Sequence, residues 1–222
     1  MNIIEKQNLL MKKWKQEHMN KGYTNFISDG ILNYELWEKS NLKICFLLKE
    51  AYGDYGSLQN LFQSWGDIKY QLWHNVSYWL YGINHCYKEN FTPDFEKCKS
   101  DREECYELLQ GTSVVNIKKS NGVSSTTKED LKMYLDNDSK NILEELELIN
   151  PNIIICGGTY EEYCRLNGIK PYSAMKKITD WTYFFQGKLI FDFTHPAAQI
   201  HGAMSYYTIT SMFQKAKNNL II

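Results

Sequence analysis

The sequence predicts an α/β protein, a three-layer α/β/α sandwich built on a small central, mainly parallel four-stranded sheet. Three observations predict it. Short apolar runs alternate with amphipathic stretches along the chain. The apolar runs are nearly unbroken, as suits strands covered on both faces. Of 222 residues, 43% are hydrophobic and 23% charged, with only 4 prolines, a composition that supports one full-sized core. The expectation is a single domain over residues 1–222, with its core at about 42–215 and an N-terminal helical extension at 1–40.

Each element has its own signal. Residues 5–19 place Leu9, Leu10, Trp14 and Met19 near one face and most lysines elsewhere, which predicts a peripheral helix. A short helix is expected at 31–37. The first strand is KICFLLK at 43–49, followed by the glycine-rich loop at 50–56. A helix at 67–80 carries Trp73, Val76, Trp79 and Leu80. A charged stretch from Lys88 to Glu107 follows, with net charge -3, and is not expected to touch phosphate. The second strand, TSVVNIK at 112–118, is expected to end in a Lys119-Ser120-Asn121-Gly122 turn. Thr127 is a natural N-cap for a long helix ending near Leu148, with Asp130 in its first turn and Pro151 after it. The third strand, 152–156, runs into Gly157-Gly158-Thr159. The fourth, 188–194, leads into His195-Pro196-Ala197 and a last helix at about 203–217.

Charge and cysteine content exclude several classes. Lys plus Arg number 25 against 26 Asp plus Glu, so the chain is no basic nucleic-acid sleeve and a polyanion would have to be met by a local patch. The 6 cysteines contain no CxxC pair, which argues against a zinc ribbon or thioredoxin-type centre; no metal is expected. The N-terminal residues lack an apolar stretch before a small-residue cleavage site, and no window approaches the roughly eighteen apolar residues of a membrane span. A cytoplasmic protein with reduced thiols is expected, with no membrane partner.

An open parallel sheet binds its ligands beyond the carboxyl ends of its strands. The loops that matter are therefore 50–56, 116–122, 157–159 and 195–201. They carry Glu50 and Asp54, then Asn116, Lys118 and Lys119, then His195 and His201. A carboxylate can activate water, an amide can read a polar edge and an imidazole can stabilise developing charge. GxGxxG, GxxxxGK[ST] and GxSxG are all absent, which argues against a dinucleotide site, a P-loop and an esterase elbow. Gly157-Gly158 alone is a weak phosphate signal.

Taken in order, these loops resemble the uracil-DNA glycosylase superfamily, most closely its thermophilic-type branch. Lys49-Glu50-Ala51-Tyr52-Gly53 is similar to that branch's Gly-Glu-Ala-Pro-Gly turn except at its first and fourth positions. Val115-Asn116-Ile117-Lys118-Lys119 matches the middle segment, and His195-Pro196-Ala197 the last one except for its serine. The resemblance spans roughly residues 42–215. It implies a small parallel sheet flanked by helices and a pocket that receives a base flipped from DNA.

By this resemblance His195 donates to a base oxygen as the leaving group gains charge, and Glu50 or Asp54 positions the hydrolytic water. Asn116 reads the base edge, and Tyr52, Tyr55 or Phe62 stacks on the ring. Lys118, Lys119, Lys176 and Lys177 are the expected backbone-phosphate contacts, the last two within a stretch, Arg165 to Lys177, that carries +4 and no acid. The implied function is hydrolysis of the glycosidic bond of uracil or another modified base in DNA by a cofactor-free monomer. The branch's iron-sulfur cysteines have no counterpart, so no cluster is expected. A non-catalytic nucleic-acid or nucleotide-binding module of the same fold is the alternative, and a hydrolase of free nucleosides a third reading.

Overall fold

A computed structural model describes residues 1–23, 25–51, 56–61, 66, 68–122, 127–173 and 175–220. The helices are α1 (Ile3–Asn20), α2 (Tyr34–Lys39), α3 (Gln71–Glu89), α4 (Phe95–Ser100), α5 (Arg102–Gln110), α6 (Lys128–Ile149), α7 (Tyr160–Leu166) and α8 (Gly202–Ala216). The strands are β1 (Gly30–Ile31), β2 (Ile44–Ala51), β3 (Ser113–Asn121), β4 (Ile153–Gly157), β5 (Lys176–Thr179), β6 (Thr182–Phe185) and β7 (Lys188–Phe193). No helix among the described residues is long and apolar enough to cross a membrane.

The sheet corrects the expected strand count. It has seven strands in the mixed order β1-β3-β2-β4-β7-β6-β5, not four. The four strands read from the sequence form its parallel centre, β3-β2-β4-β7. Antiparallel β1 extends one side and the β5–β6 hairpin the other. β1 is too short to show a period. The turn into β7 uses Gln186 and Gly187, both at positive φ, the two-residue geometry whose twist matches a hairpin.

Side-chain alternation in the central strands separates two cores. Ile44, Phe46 and Leu48 of β2 pack with Trp79 of α3 and Phe213 of α8. Cys45 and Leu47 face the other way, toward Trp14 of α1, Leu135 and Ile142 of α6 and Tyr163 of α7. Helices thus cover both faces, and the sheet's unbroken apolar runs follow from that burial.

Local chemistry sets the boundaries. The Thr127 side chain accepts from the Asp130 amide at 3.1 Å, a cap that contributes about 1 kcal/mol. Asn150 closes α6 in the left-handed region before Pro151. The helix expected at 31–37 begins at Tyr34 instead, because Asn33 caps it through the Leu36 amide. The helix expected at 67–80 runs from Gln71 to Glu89, and the charged stretch after it folds as α4 and α5.

β3 also departs from expectation. It continues through Lys119 to Asn121 where a turn was read. The Ile27 amide bonds to the Lys119 carbonyl at 2.7 Å, so the segment before β1 extends the pairing.

Candidate functional site

A cavity of about 640 Å³ opens at the carboxyl ends of β2 and β7, beside Asn116 in the interior of β3. It is lined by Leu48, Lys49, Glu50 and Ala51 of β2, Asn116 of β3, His195 through Ala198, Leu58 and Leu61, and residues 70–73 and 75 around the start of α3. The three separated segments that carry Glu50, Asn116 and His195 therefore meet at one space. Leu48, Glu50 and Asn116 share it because equal parity along paired strands puts them on the α3 face; Leu48 and Asn116 are direct neighbours. A second cavity of about 240 Å³, lined by Leu42, Ile44 and Thr112, lies at the opposite end of the strands and holds none of the candidate site residues.

His195 is held as a neutral donor. The Ala197 amide donates to its Nδ1 at 3.1 Å, so in the neutral ring the proton sits on Nε2. Burial pushes its pKa down to about 4, the nearby Lys49 charge adds to the effect, and Glu50 opposes it. Glycines let this loop approach the sheet. A Cβ on Gly157 would come within 2.6 Å of Leu48 Cδ2 and 3.1 Å of Pro196 Cδ, and Gly158 turns at φ +66 with its amide on the Phe193 carbonyl. The Gly-Gly pair thus serves the packing of His195-Pro196.

Asn75 clamps the same loop from α3. Its Nδ2 donates to the Pro196 carbonyl at 2.8 Å, and Gln71 Nε2 donates to its Oδ1 at 3.1 Å. Asn75→Ala is expected to cost about 1–3 kcal/mol, because a buried carbonyl loses its donor. It should also move the His195 ring ¹⁵N resonances. Unmoved resonances would mean the loop keeps its shape without Asn75.

Glu50 is the described carboxylate at the cavity. Its Oε2 lies 3.1 Å from Lys118 Nζ, yet that oxygen has no aligned hydrogen bond among the described residues. It retains acceptor capacity for a water. Gly122 makes room for it: a Cβ there would fall 2.9 Å from the Glu50 Cγ and Cδ.

The lysines correct the sequence reading. Lys118 is buried and divided between Asp130 at 2.7 Å and Glu50. Burial lowers its pKa, but the Asp130 and Glu50 carboxylates more than offset that, so the net shift is upward. Lys119, one residue on, is also held by α6, deeper in the core. There it is enclosed under the Trp14 ring and ion-paired with both Asp29 and Glu145, the latter at 2.8 Å. Neither ammonium is available to a DNA phosphate. Lys176 and Lys177 are exposed on β5, level with Leu189 and Ile190 and two strands out from β7. At about 3.3 Å per residue they stand roughly 15–20 Å below the level of His195, and Lys177 pairs with Asp180. They do not border the cavity.

Asp54, Tyr52, Tyr55 and Phe62 lie outside the described residues. The described aromatic wall is Tyr70 and Trp73; Trp73 read as core in the sequence because its spacing within α3 matches the other buried residues. Asp29 and Asn75 were also missed. Among the described residues no group of three or more His, Cys, Asp or Glu could hold a metal ion. All six thiols are free and buried; Cys98 and Cys105 lie 3.9 Å apart, and their contact together with burial raises the Cys98 pKa. Neither a protein-family model nor a curated protein matches this chain.

Proposed function

We propose that this chain is a uracil-DNA glycosylase-like N-glycosyl hydrolase with a three-layer α/β/α architecture. In this reading it acts as a cofactor-free, cytoplasmic monomer on a base flipped out of DNA. The observation that carries the reading is the convergence of a neutral Nε2–H donor on His195, the Asn116 amide and the Glu50 carboxylate on one cavity. Cleaving the C1′–N bond moves its electron pair to the base and leaves positive charge on the sugar. His195 donates to a base carbonyl oxygen as it becomes negative, and a neutral donor does so without first binding the ground state as an ion. Glu50 faces the cationic sugar and orients a water, whose oxygen bonds to C1′ while its proton passes to the carboxylate and on to solvent. The departing base anion is protonated from solvent.

Tyr70 and Trp73 supply ring contact. Lys49 borders both this cavity and a smaller one lined by Gly158 and Tyr160, and in this reading it takes the phosphate-contact role that the buried lysines cannot. Abasic-site formation on single- and double-stranded oligonucleotides carrying uracil, hypoxanthine or modified cytosines tests the proposal. Release of at least one of these bases is expected. Tight binding with no abasic sites on any substrate would replace it with the non-catalytic binding module, and turnover of free nucleosides that ignores DNA length and salt would replace it with a nucleoside hydrolase.

A further inference from the structure

We infer that Cys98 and Cys105 form an oxidisable dithiol, a modification site at which a small-molecule disulfide converts the two thiols into one internal disulfide bond. The inference is independent of the glycosylase proposal, since neither thiol lines the cavity. Both residues are 0% exposed, and their sulfurs stand 3.9 Å apart. Along one continuous helix, residues seven apart would lie about 10 Å from each other. Here Asp101 ends α4 and, by accepting from the Glu104 amide at 3.4 Å, starts α5. The chain turns a corner at that single residue, and the corner brings the two thiols face to face. A disulfide bond is about 2.0 Å long, so each sulfur has to move by roughly 1 Å to form one.

The closed corner protects the pair, and its opening exposes it. Contact with Cys105 first, and burial second, raise the Cys98 pKa, so the enclosed pair stays protonated and unreactive. Local opening needs little. α4 has 6 residues and α5 has 9, both below the length at which a helix persists without tertiary support. Cys98 is the one buried residue of α4, so little apolar burial holds that turn down. Cys45 and Cys156 lie instead inside β2 and β4, and freeing them requires opening the centre of the sheet. In the open corner one thiol gives its proton to solvent, and its thiolate attacks a sulfur of a disulfide such as oxidised glutathione. That S–S bond breaks, one glutathione thiolate leaves, and a mixed disulfide remains on the protein. The second protein thiolate then attacks the protein sulfur of the mixed disulfide, so the Cys98–Cys105 bond forms and the second glutathione leaves. The two protons end on two glutathione thiols: the protein pair loses two electrons and one glutathione disulfide gains them. In a reducing compartment the pair stays as two thiols.

Incubating the folded protein with oxidised glutathione, quenching in acid, alkylating the remaining thiols in denaturant and mapping peptides by mass spectrometry tests the site. The expected product joins the Cys98 and Cys105 peptides and leaves Cys45, Cys86, Cys156 and Cys164 alkylated. Cys105→Ser is expected to stop at a mixed disulfide with glutathione on Cys98; if that variant does not fold, the wild-type map decides. The urea dependence reports the route. Below the unfolding transition the oxidation rate is expected to change by less than about twofold, whereas passage through the unfolded chain would make it climb steeply with urea. Six alkylated thiols, a wild-type mixed disulfide that never closes, a bond between any other two cysteines, or a rate that climbs with urea in parallel with unfolding each overturns the inference.

Discussion

Lys119→Met is expected to destabilise the protein by about 3–5 kcal/mol, because it leaves Asp29 and Glu145 as buried carboxylates without their shared cation. For a chain of this size that is a fall in Tm of at least about 6 °C. The effect should depend on pH in a defined direction. Burial is the main reason the Glu145 pKa rises to about 8; the Asp29 charge adds to the rise and Lys119 opposes it. A protonated Glu145 makes the buried trio neutral. The native state therefore binds more protons than the unfolded chain between the ordinary carboxylate value and about 8, and this contribution, complete in acid, is lost as pH rises through that window. Removing Lys119 removes the opposing term, so the variant should lose more stability at pH 8 than at pH 5. The Lys119→Met, Asp29→Asn, Glu145→Gln triple variant, which leaves no charge at these three positions, is expected to regain most of the loss. Thermal unfolding at both pH values checks each step; a single variant as stable as wild type at pH 8 would mean the trio carries no net charge burden.

This trio marks the limit of what could be read from the chain. Lys119-Ser120-Asn121-Gly122 has turn composition, and nothing within several residues says that a lysine there is a strand residue. The groups that make it one, Asp29 and Glu145, stand 90 and 26 positions away. The parallel centre was legible for the opposite reason. Strands such as Ile153–Gly157 are buried on both faces, so their apolar runs carry the signal locally. The convergence of Glu50, Asn116 and His195 was legible because the ends of parallel strands lie on one edge, and their order along the chain was enough to nominate them. That Asp29 holds the Asn116 amide nitrogen was not, since a side-chain amide offers a donor and an acceptor until its neighbour is known. β5 and β6 were hidden by the two lysines of Lys176–Thr179 and by a turn, Asp180-Trp181, whose exposed tryptophan resembles core in a sequence.

His195→Ala is expected to reduce base release by about 10²–10³-fold with little change in thermal stability. The two halves of that expectation have separate causes. The ring's Nε2–H acts on charge that develops only as the glycosidic bond breaks, so its loss falls on turnover more than on binding. The Nδ1 atom accepts from the amide of Ala197, an exposed residue, and water can take over that bond when the ring is removed. The pH profile discriminates the operating form. With its pKa held near 4, mainly by burial, His195 stays neutral from about pH 5 upward, so no rate break near 6.5 should be traceable to it. The stability sign follows from the same depression: as pH falls from the ordinary histidine value toward 4, the unfolded chain binds a proton that the native ring does not, so the ring's contribution, complete above 6.5, is lost in acid. A break near 6.5 in the wild-type rate that vanishes in His195→Ala would make an imidazolium the acting group. It would also break the account of the cavity, because an imidazolium needs a proton on Nδ1, where the Ala197 N–H already points.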